Sequence, residues 1–167
     1  MKFIKLIVIS LIVLFLLVTG IGLLFSPNVT VMRSVNINAP KDSVYAMLSD
    51  IGNWQYWMFD SARTPQILSQ NTFGKGAEAQ VGKTKIVITQ TTDSTVESLW
   101  QTGKIHDQLC DFVLTQNAQS PGIQITWYFQ QHLGWYPWER IGAALNEKIL
   151  GPSMDSGFAR LKRKLEK

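Results

Sequence analysis

The chain opens with a continuous hydrophobic segment. Twenty uncharged residues, 6–25, follow Lys2 and Lys5. As a helix with a rise of about 1.5 Å per residue, this segment extends for about 30 Å, which matches the hydrocarbon core of a bilayer. We therefore predict a single transmembrane anchor over residues 1–27. A cleaved secretory signal and a buried core helix are the alternatives, although signal segments usually carry about 7–15 apolar residues before a small-residue cleavage site.

The charges beside this segment predict its orientation. Lys2 and Lys5 precede it, and the next charged residue is Arg33. Basic residues next to a membrane span tend to stay on the cytoplasmic side. We therefore expect a cytoplasmic N-terminus, with the domain formed by residues 28–167 on the extracytoplasmic side.

Alternating apolar and polar positions predict that most of this domain is a sheet. In residues 29–37 every second position faces one side, and in residues 122–132 the apolar positions Ile123, Ile125, Trp127 and Phe129 share a face. A period of two is typical of strands that bury one face and leave the other wetter. Further strands are predicted over residues 64–72, 76–81, 84–91, 95–102 and 104–115.

Helical spacing marks the two remaining parts of the domain. A short helix is predicted over residues 42–49, followed by a second over residues 54–57 with Asn53 as its cap. From Pro137 the chain changes to a helical period, with a helix predicted over residues 137–150, an interruption at Gly151-Pro152, and a continuation over residues 154–165. Strands followed by a helix indicate an α+β domain, in which a curved antiparallel sheet of about seven strands wraps around a long C-terminal helix. Incomplete closure between sheet and helix would leave an apolar cavity.

Composition and charge exclude several classes of function. The single cysteine of the 167 residues excludes an intramolecular disulfide and a multi-cysteine metal site. Outside the anchor, the chain has 14 basic and 12 acidic residues, and this near balance does not indicate nucleic-acid binding. The basic residues among 160–167 favour a solvated last helical turn, and a contact with anionic lipid is the alternative.

The candidate catalytic side chains are too far apart for a known arrangement. His106 and Cys110 share a face of one predicted strand, but four residues of strand span about 13 Å, and a nucleophile needs its base at about 3 Å. The carboxylates of Asp107 and Asp111 are also four residues apart on this strand, which is too far for them to act as a catalytic pair. We therefore expect no catalytic residue, no bound metal and no cofactor.

Both ends of the domain resemble a known family. The stretches that carry the resemblance are residues 31–40, 44–45, 48–50, 53–57, 151–154 and 157–162. Through them, residues 29–167 are similar to the polyketide cyclase/dehydrase and lipid-transport family of the START-like, helix-grip (SRPBCC) superfamily. The resemblance implies a helix-grip fold with a cavity for a hydrophobic ligand, and many bacterial members carry a similar N-terminal membrane segment.

Aromatic residues are the candidates for the wall of this cavity. Two tryptophans lie three positions apart on the second short helix, two aromatics of the last strand face the terminal helix, and two apolar residues of that helix would face back. The alternative for each is ordinary core packing, because aromatic side chains dominate protein cores. Asp60 and Arg63 are candidates for a polar rim. The predicted ligand-binding residues are Trp54, Trp57, Trp127, Phe129, Met154 and Phe158.

The leading hypothesis for function is non-enzymatic binding of a hydrophobic small molecule or lipid beside the membrane. One alternative is a cyclase- or dehydratase-type enzyme, which would need an acid or a base inside the cavity. The other is an envelope protein-interaction module without a ligand, which would have a filled core and an exposed apolar patch. The sequence indicates no particular protein partner.

Overall fold

The chain folds into an N-terminal apolar helix followed by an α+β arrangement of sheet and helices. The computed structural model describes residues 2–24, 26–59, 63–103, 107–116, 122–134, 136–143 and 146–166. The helices are α1 (Lys2–Leu23), α2 (Lys41–Ser49), a 3-10 helix (Ile51–Tyr56), α3 (Pro137–Ala143) and α4 (Asn146–Leu165). The strands are β1 (Asn28–Ile37), β2 (Gln66–Ile67), β3 (Glu78–Val81), β4 (Thr84–Thr91), β5 (Thr95–Gln101), β6 (Gln108–Gln116) and β7 (Ile123–His132).

These strands form one antiparallel sheet in the order β1-β7-β6-β5-β4-β3-β2. The register pairs Asn28 with His132, and Gln108 with both Gln131 and Trp100. The start of β1, the end of β5, the start of β6 and the end of β7 therefore lie at one end of the sheet. Because β1 follows α1 directly, we call this the α1 end.

The alternation predicted from the sequence is confirmed in the burial of the strands. In β7 the residues Ile123, Ile125, Trp127 and Phe129 are buried, and their neighbours are half-buried. The face that carries these four residues is the inner face of the sheet. α4 packs on it and buries Phe158, whose ring lies 5.6 Å from that of Trp127. The core thus lies between the inner face, α2 and α4.

The predicted interruption at Gly151-Pro152 is wrong. α4 continues through Pro152, and the terminal helical region is divided instead between α3 and α4. A proline inside a helix loses one backbone hydrogen bond and costs about 3 kcal/mol. Burial of Met154 and Phe158, on the turns that follow, offsets this cost because most helical stability comes from packing.

The cap of the short second helix also differs from the prediction. Asp50, rather than Asn53, caps the 3-10 helix, since its carboxylate accepts a hydrogen bond of 2.9 Å from the backbone N–H of Gly52. The Asn53 amide instead donates to the carbonyl of Ala46 at 3.2 Å. It therefore joins the 3-10 helix to α2.

A charged side chain on the inner face connects the edge strand β1 to α4. The guanidinium of Arg33 lies 3.3 Å from carboxylate oxygens of both Glu147 and Asp155. Gly151 lies between these two residues on the helix, and a Cβ there would overlap the Arg33 guanidinium. Glycine at this position therefore leaves room for the Arg33 guanidinium beside the helix.

α1 is long and apolar enough to cross a bilayer, a property that signal sequences share. Its residues 3–17 are exposed, and shielding begins at Val18 and Thr19. α3 packs against α1. The alternative of a buried core helix is wrong, because only 6% of the apolar window in Phe3–Leu23 is buried.

Candidate ligand cavity

A cavity of about 320 Å³ lies between the inner face of the sheet and the middle of α4, and it is partly open to solvent. Its volume is near the lower end of the range of about 300–1,000 Å³ that is usual for small-molecule sites. The sheet contributes Trp100, Trp127 and Phe129. The helix contributes Leu150, Pro152, Ser153, Met154, Ser156 and Arg160, and the segment after the 3-10 helix contributes Met58, Phe59 and Arg63.

Three of the six predicted ligand-binding residues line this cavity. Trp127 and Phe129 form part of its sheet wall, and Met154 faces them from α4. Phe158 lies outside the lining and packs edge-on against Trp127. The structure thus brings the β7 and α4 candidates together as the strand and helix periods indicate.

Trp54 and Trp57 lie in the core beneath the cavity. Both are fully buried, and their indole N–H groups donate to the carbonyls of Leu48 at 2.8 Å and Met47 at 3.2 Å. These carbonyls belong to the last turn of α2, where a helix has no internal donors for its oxygens. The two indoles therefore satisfy the end of a helix and are not available to orient a guest.

Two aromatic residues outside the predicted six complete the apolar wall. Trp100 lies 5.4 Å from Phe129 and 6.0 Å from Phe59, measured between ring centroids. The Trp100 indole donates to the hydroxyl of Ser98 at 3.1 Å, which leaves the flat ring for the cavity. A signal was present in the sequence, because Trp100 has the same parity along β5 as Val96, which is fully buried on the inner face.

The charged groups in the described lining are both arginines. Arg160 donates from Nε to the carbonyl of Trp57 at 2.8 Å and from Nη2 to that of Met58 at 3.2 Å, so it holds the end of the 3-10 helix against α4. Arg63 is exposed at the edge of the cavity. Asp60, the other candidate for a polar rim, lies outside the described residues.

Cys110 lies behind the cavity wall as a neutral thiol. It is fully buried, and its Sγ accepts a hydrogen bond of 2.9 Å from the indole of Trp127. Burial raises its pKa to about 12, although the hydrogen bonds of Trp127 and Ser98 act in the opposite direction. A thiol in this state is a poor nucleophile. The candidate partner His106 lies outside the described residues, and no three His, Cys, Asp or Glu side chains converge within the described part of the chain.

Asp111 lies on the outer face of the sheet beside a second carboxylate. Burial, and then the charge of its cross-strand neighbour Glu97, raise the pKa of Asp111. Because the pKa of Asp111 is higher in the folded chain than in the unfolded chain, protonation of its carboxyl stabilises the fold. This stabilisation is complete below the unfolded pKa of about 4, and it is lost as the pH rises through the pKa of the folded chain.

Asp111→Asn is therefore expected to raise the melting temperature at pH 7. The same change removes the Asp111 contribution that favours the fold at pH 4 over pH 7, so the stability of the variant at pH 4 relative to pH 7 will be lower than that of the wild type. Thermal unfolding of the detergent-solubilised chain at both pH values measures this, with Asp93→Asn in the exposed β4–β5 turn as the control. An Asp111→Asn variant that is less stable than the wild type at pH 7 would contradict the assignment.

Taken together, the fold and the cavity define an α+β protein with a seven-stranded antiparallel sheet, an apolar pocket under its terminal helix, and an apolar helix in front. Solved structures share this fold. A protein from Thermobifida fusca has a TM-score of 0.65 and 15% identity, over 81% of this chain and 92% of that one. A protein from Nitrosospira multiformis has a TM-score of 0.63 and 11% identity, over 81% of this chain and 95% of that one.

A third similar structure is that of a protein named KanY, with a TM-score of 0.60 and 15% identity, over 84% of this chain and 99% of that one. The sequence itself matches no protein-family profile and no curated protein. At identities of 11–15%, the likeness establishes the fold alone.

Proposed function

We propose that this protein binds a hydrophobic small molecule or lipid, without catalysis, in the cavity between the sheet and α4. The observation that carries the proposal is the cavity of about 320 Å³ with Trp100, Trp127 and Phe129 on one side and Leu150 and Met154 on the other. Each square ångström of apolar ligand surface buried there contributes about 25 cal/mol. The proposal includes the helix-grip fold of the START-like superfamily, which the resemblance at both ends of the domain supports.

The proposed place of action is a membrane surface. α1 is the anchor in this proposal, with the N-terminus on the cytoplasmic side because Lys2 and Lys5 precede the apolar segment. The domain that begins at β1 then lies on the extracytoplasmic side. An apolar ligand partitions into the lipid beside it, so the membrane supplies the ligand at the level of the domain.

The cyclase- or dehydratase-type alternative is less well supported by the cavity. Acid–base catalysis needs a side chain that takes or gives a proton within hydrogen-bond reach of the substrate. Among the described lining residues there is no Asp, Glu or His, and the arginines are permanently charged. An interaction module with a filled core is less well supported because the cavity is large enough for a ligand.

Native mass spectrometry of the detergent-extracted protein tests the proposal. We expect the wild type to retain an apolar adduct, and Ser153→Trp to retain at least tenfold less, because the indole would occupy the cavity that Ser153 lines. Arg163→Trp places the same side chain at an exposed position of α4 outside the described lining and is the matched control. A wild type that stays empty after incubation with membrane lipid extract, or equal occupancy in both variants, would contradict the proposal.

A further inference from the structure

A pair of aromatic residues is exposed just before and within α3. Tyr136 is 39% exposed and Trp138 is 59% exposed, and their rings stack with centroids 4.9 Å apart and planes 20° from parallel. Tryptophan is among the more buried residues on average, so a stacked and exposed pair of this kind marks a surface that meets something other than water.

The position of α3 along α1 indicates what that surface meets. α3 packs against α1, whose shielded positions Val18, Thr19 and Gly22 all lie near its C-terminal end. At 1.5 Å per residue, residues 18–22 of a span that ends at Leu23 lie within about 8 Å of its end. Helices that lie in the plane of a membrane bury their apolar face about 5–10 Å into the headgroup boundary. The position of α3 along α1 therefore agrees with the usual depth of a helix at the membrane interface.

A further exposed apolar residue and exposed cations occur at the start of α4 and at the α1 end of the sheet. Ile149, near the start of α4, is 65% exposed, and its neighbour Leu150 lines the cavity. Lys83, in the β3–β4 turn at the α1 end of the sheet, and Lys148 are exposed. Aromatic rings, exposed apolar residues and cations are the residue types that are enriched in the interfacial layer of a bilayer.

We propose that Tyr136, Trp138 and Ile149 form a docking surface for the headgroup layer of the lipid bilayer. This surface makes a second contact with the membrane, separate from α1, and it brings Leu150, the cavity-lining neighbour of Ile149, close to the lipid. The proposal rests on the membrane insertion of α1 that forms part of the proposed function.

Depth-dependent fluorescence quenching of the full chain in vesicles of phosphatidylcholine and phosphatidylglycerol tests this surface. An environment-sensitive fluorophore is placed by thiol chemistry at Ile149→Cys, at Asp93→Cys in the distal β4–β5 turn, and at Leu14→Cys in the centre of α1. Cys110 stays unlabelled because it is fully buried and its pKa is about 12. We expect a quencher near the headgroups to quench the label at residue 149 at least twofold more than the label at residue 93.

The three positions separate the docking surface from the anchor. Quenching at residue 14 by a mid-chain quencher, with equal and weak quenching at 149 and 93, would overturn the docking surface and leave the anchor in place. Absence of quenching at residue 14 would overturn both. Full accessibility of the label at 149 to aqueous iodide in the presence of vesicles would favour a protein-binding surface and contradict a lipid one.

Removal of the aromatic pair provides the second arm of the test. In the Ile149→Cys background, Tyr136→Ser with Trp138→Ser is expected to reduce headgroup quenching at least twofold. Tyr56→Ser is the matched control, because Tyr56 is exposed on the 3-10 helix, where Lys164 lies over its ring. Equal quenching in the double variant and the control would overturn the role of the aromatic pair, even if the double variant folds normally.

Discussion

Trp127→Ala is expected to lower the free energy of unfolding by about 3–5 kcal/mol, the usual cost of truncating a buried tryptophan. Trp127 is 4% exposed, and its ring lies 5.7 Å from Trp57, 5.2 Å from Phe112 and 5.6 Å from Phe158. Its indole also donates to the Sγ of Cys110. Truncation removes the centre of this aromatic cluster and joins the resulting void to the cavity between the sheet and α4.

Trp138→Ala is the matched control, because it makes the same chemical change at a residue that is 59% exposed. Substitutions at exposed sites usually change stability by less than about 0.5 kcal/mol. Chemical unfolding of the detergent-solubilised chain, followed by near-ultraviolet circular dichroism, measures both variants. Equal losses of unfolding free energy in the two variants would show that Trp127 is not central to the core.

Gly122→Ala is expected to cost about 4 kcal/mol, with about 2 from backbone strain and about 2 from steric overlap. Gly122 precedes β7 with a φ of +126°, which residues with a side chain rarely adopt. A Cβ at this position would overlap the carbonyl of Ile37, where β1 ends. The Cβ would be bonded to the backbone of residue 122, and the carbonyl belongs to the backbone of Ile37. Neither atom can therefore move aside without disturbing the pairing of β1 with β7.

Gly82→Ala is the control for backbone strain alone. Gly82 has a φ of +60° in the β3–β4 turn and open space around a Cβ. The left-handed conformation costs a residue with a side chain about 1–2 kcal/mol. Thermal unfolding therefore distinguishes the two glycines, and a Gly122→Ala variant as stable as Gly82→Ala would contradict the close approach to Ile37.

The sheet was predictable from the sequence because its inner residues occupy every second position. The burial of Ile123, Ile125, Trp127 and Phe129 in β7 follows that period. The interruption at Gly151-Pro152 was predicted wrongly because local propensity does not include the burial of Met154 and Phe158 between α4 and the sheet, which offsets the cost of the proline. Contacts between α4 and the sheet are set by tertiary packing.

The site was predictable only in part, for a related reason. Strand and helix periods place Trp127, Phe129 and Met154 at the cavity. Spacing alone does not show that the indoles of Trp54 and Trp57 turn toward the carbonyls at the end of α2. The hydrogen-bond requirement of a helix end, rather than the aromatic content of the segment, determines where these two rings lie.

The connection between α1 and β1 limits how far the domain can travel. Residues 24–27 separate the two elements, which is about 14 Å when fully extended, and the carbonyl of Pro27 accepts a hydrogen bond of 2.8 Å from Leu133. With α1 in a bilayer, the domain cannot cross an aqueous gap to a second membrane. Under the proposed function, ligand exchange would then be confined to a single leaflet, and delivery elsewhere would require another protein to come to it.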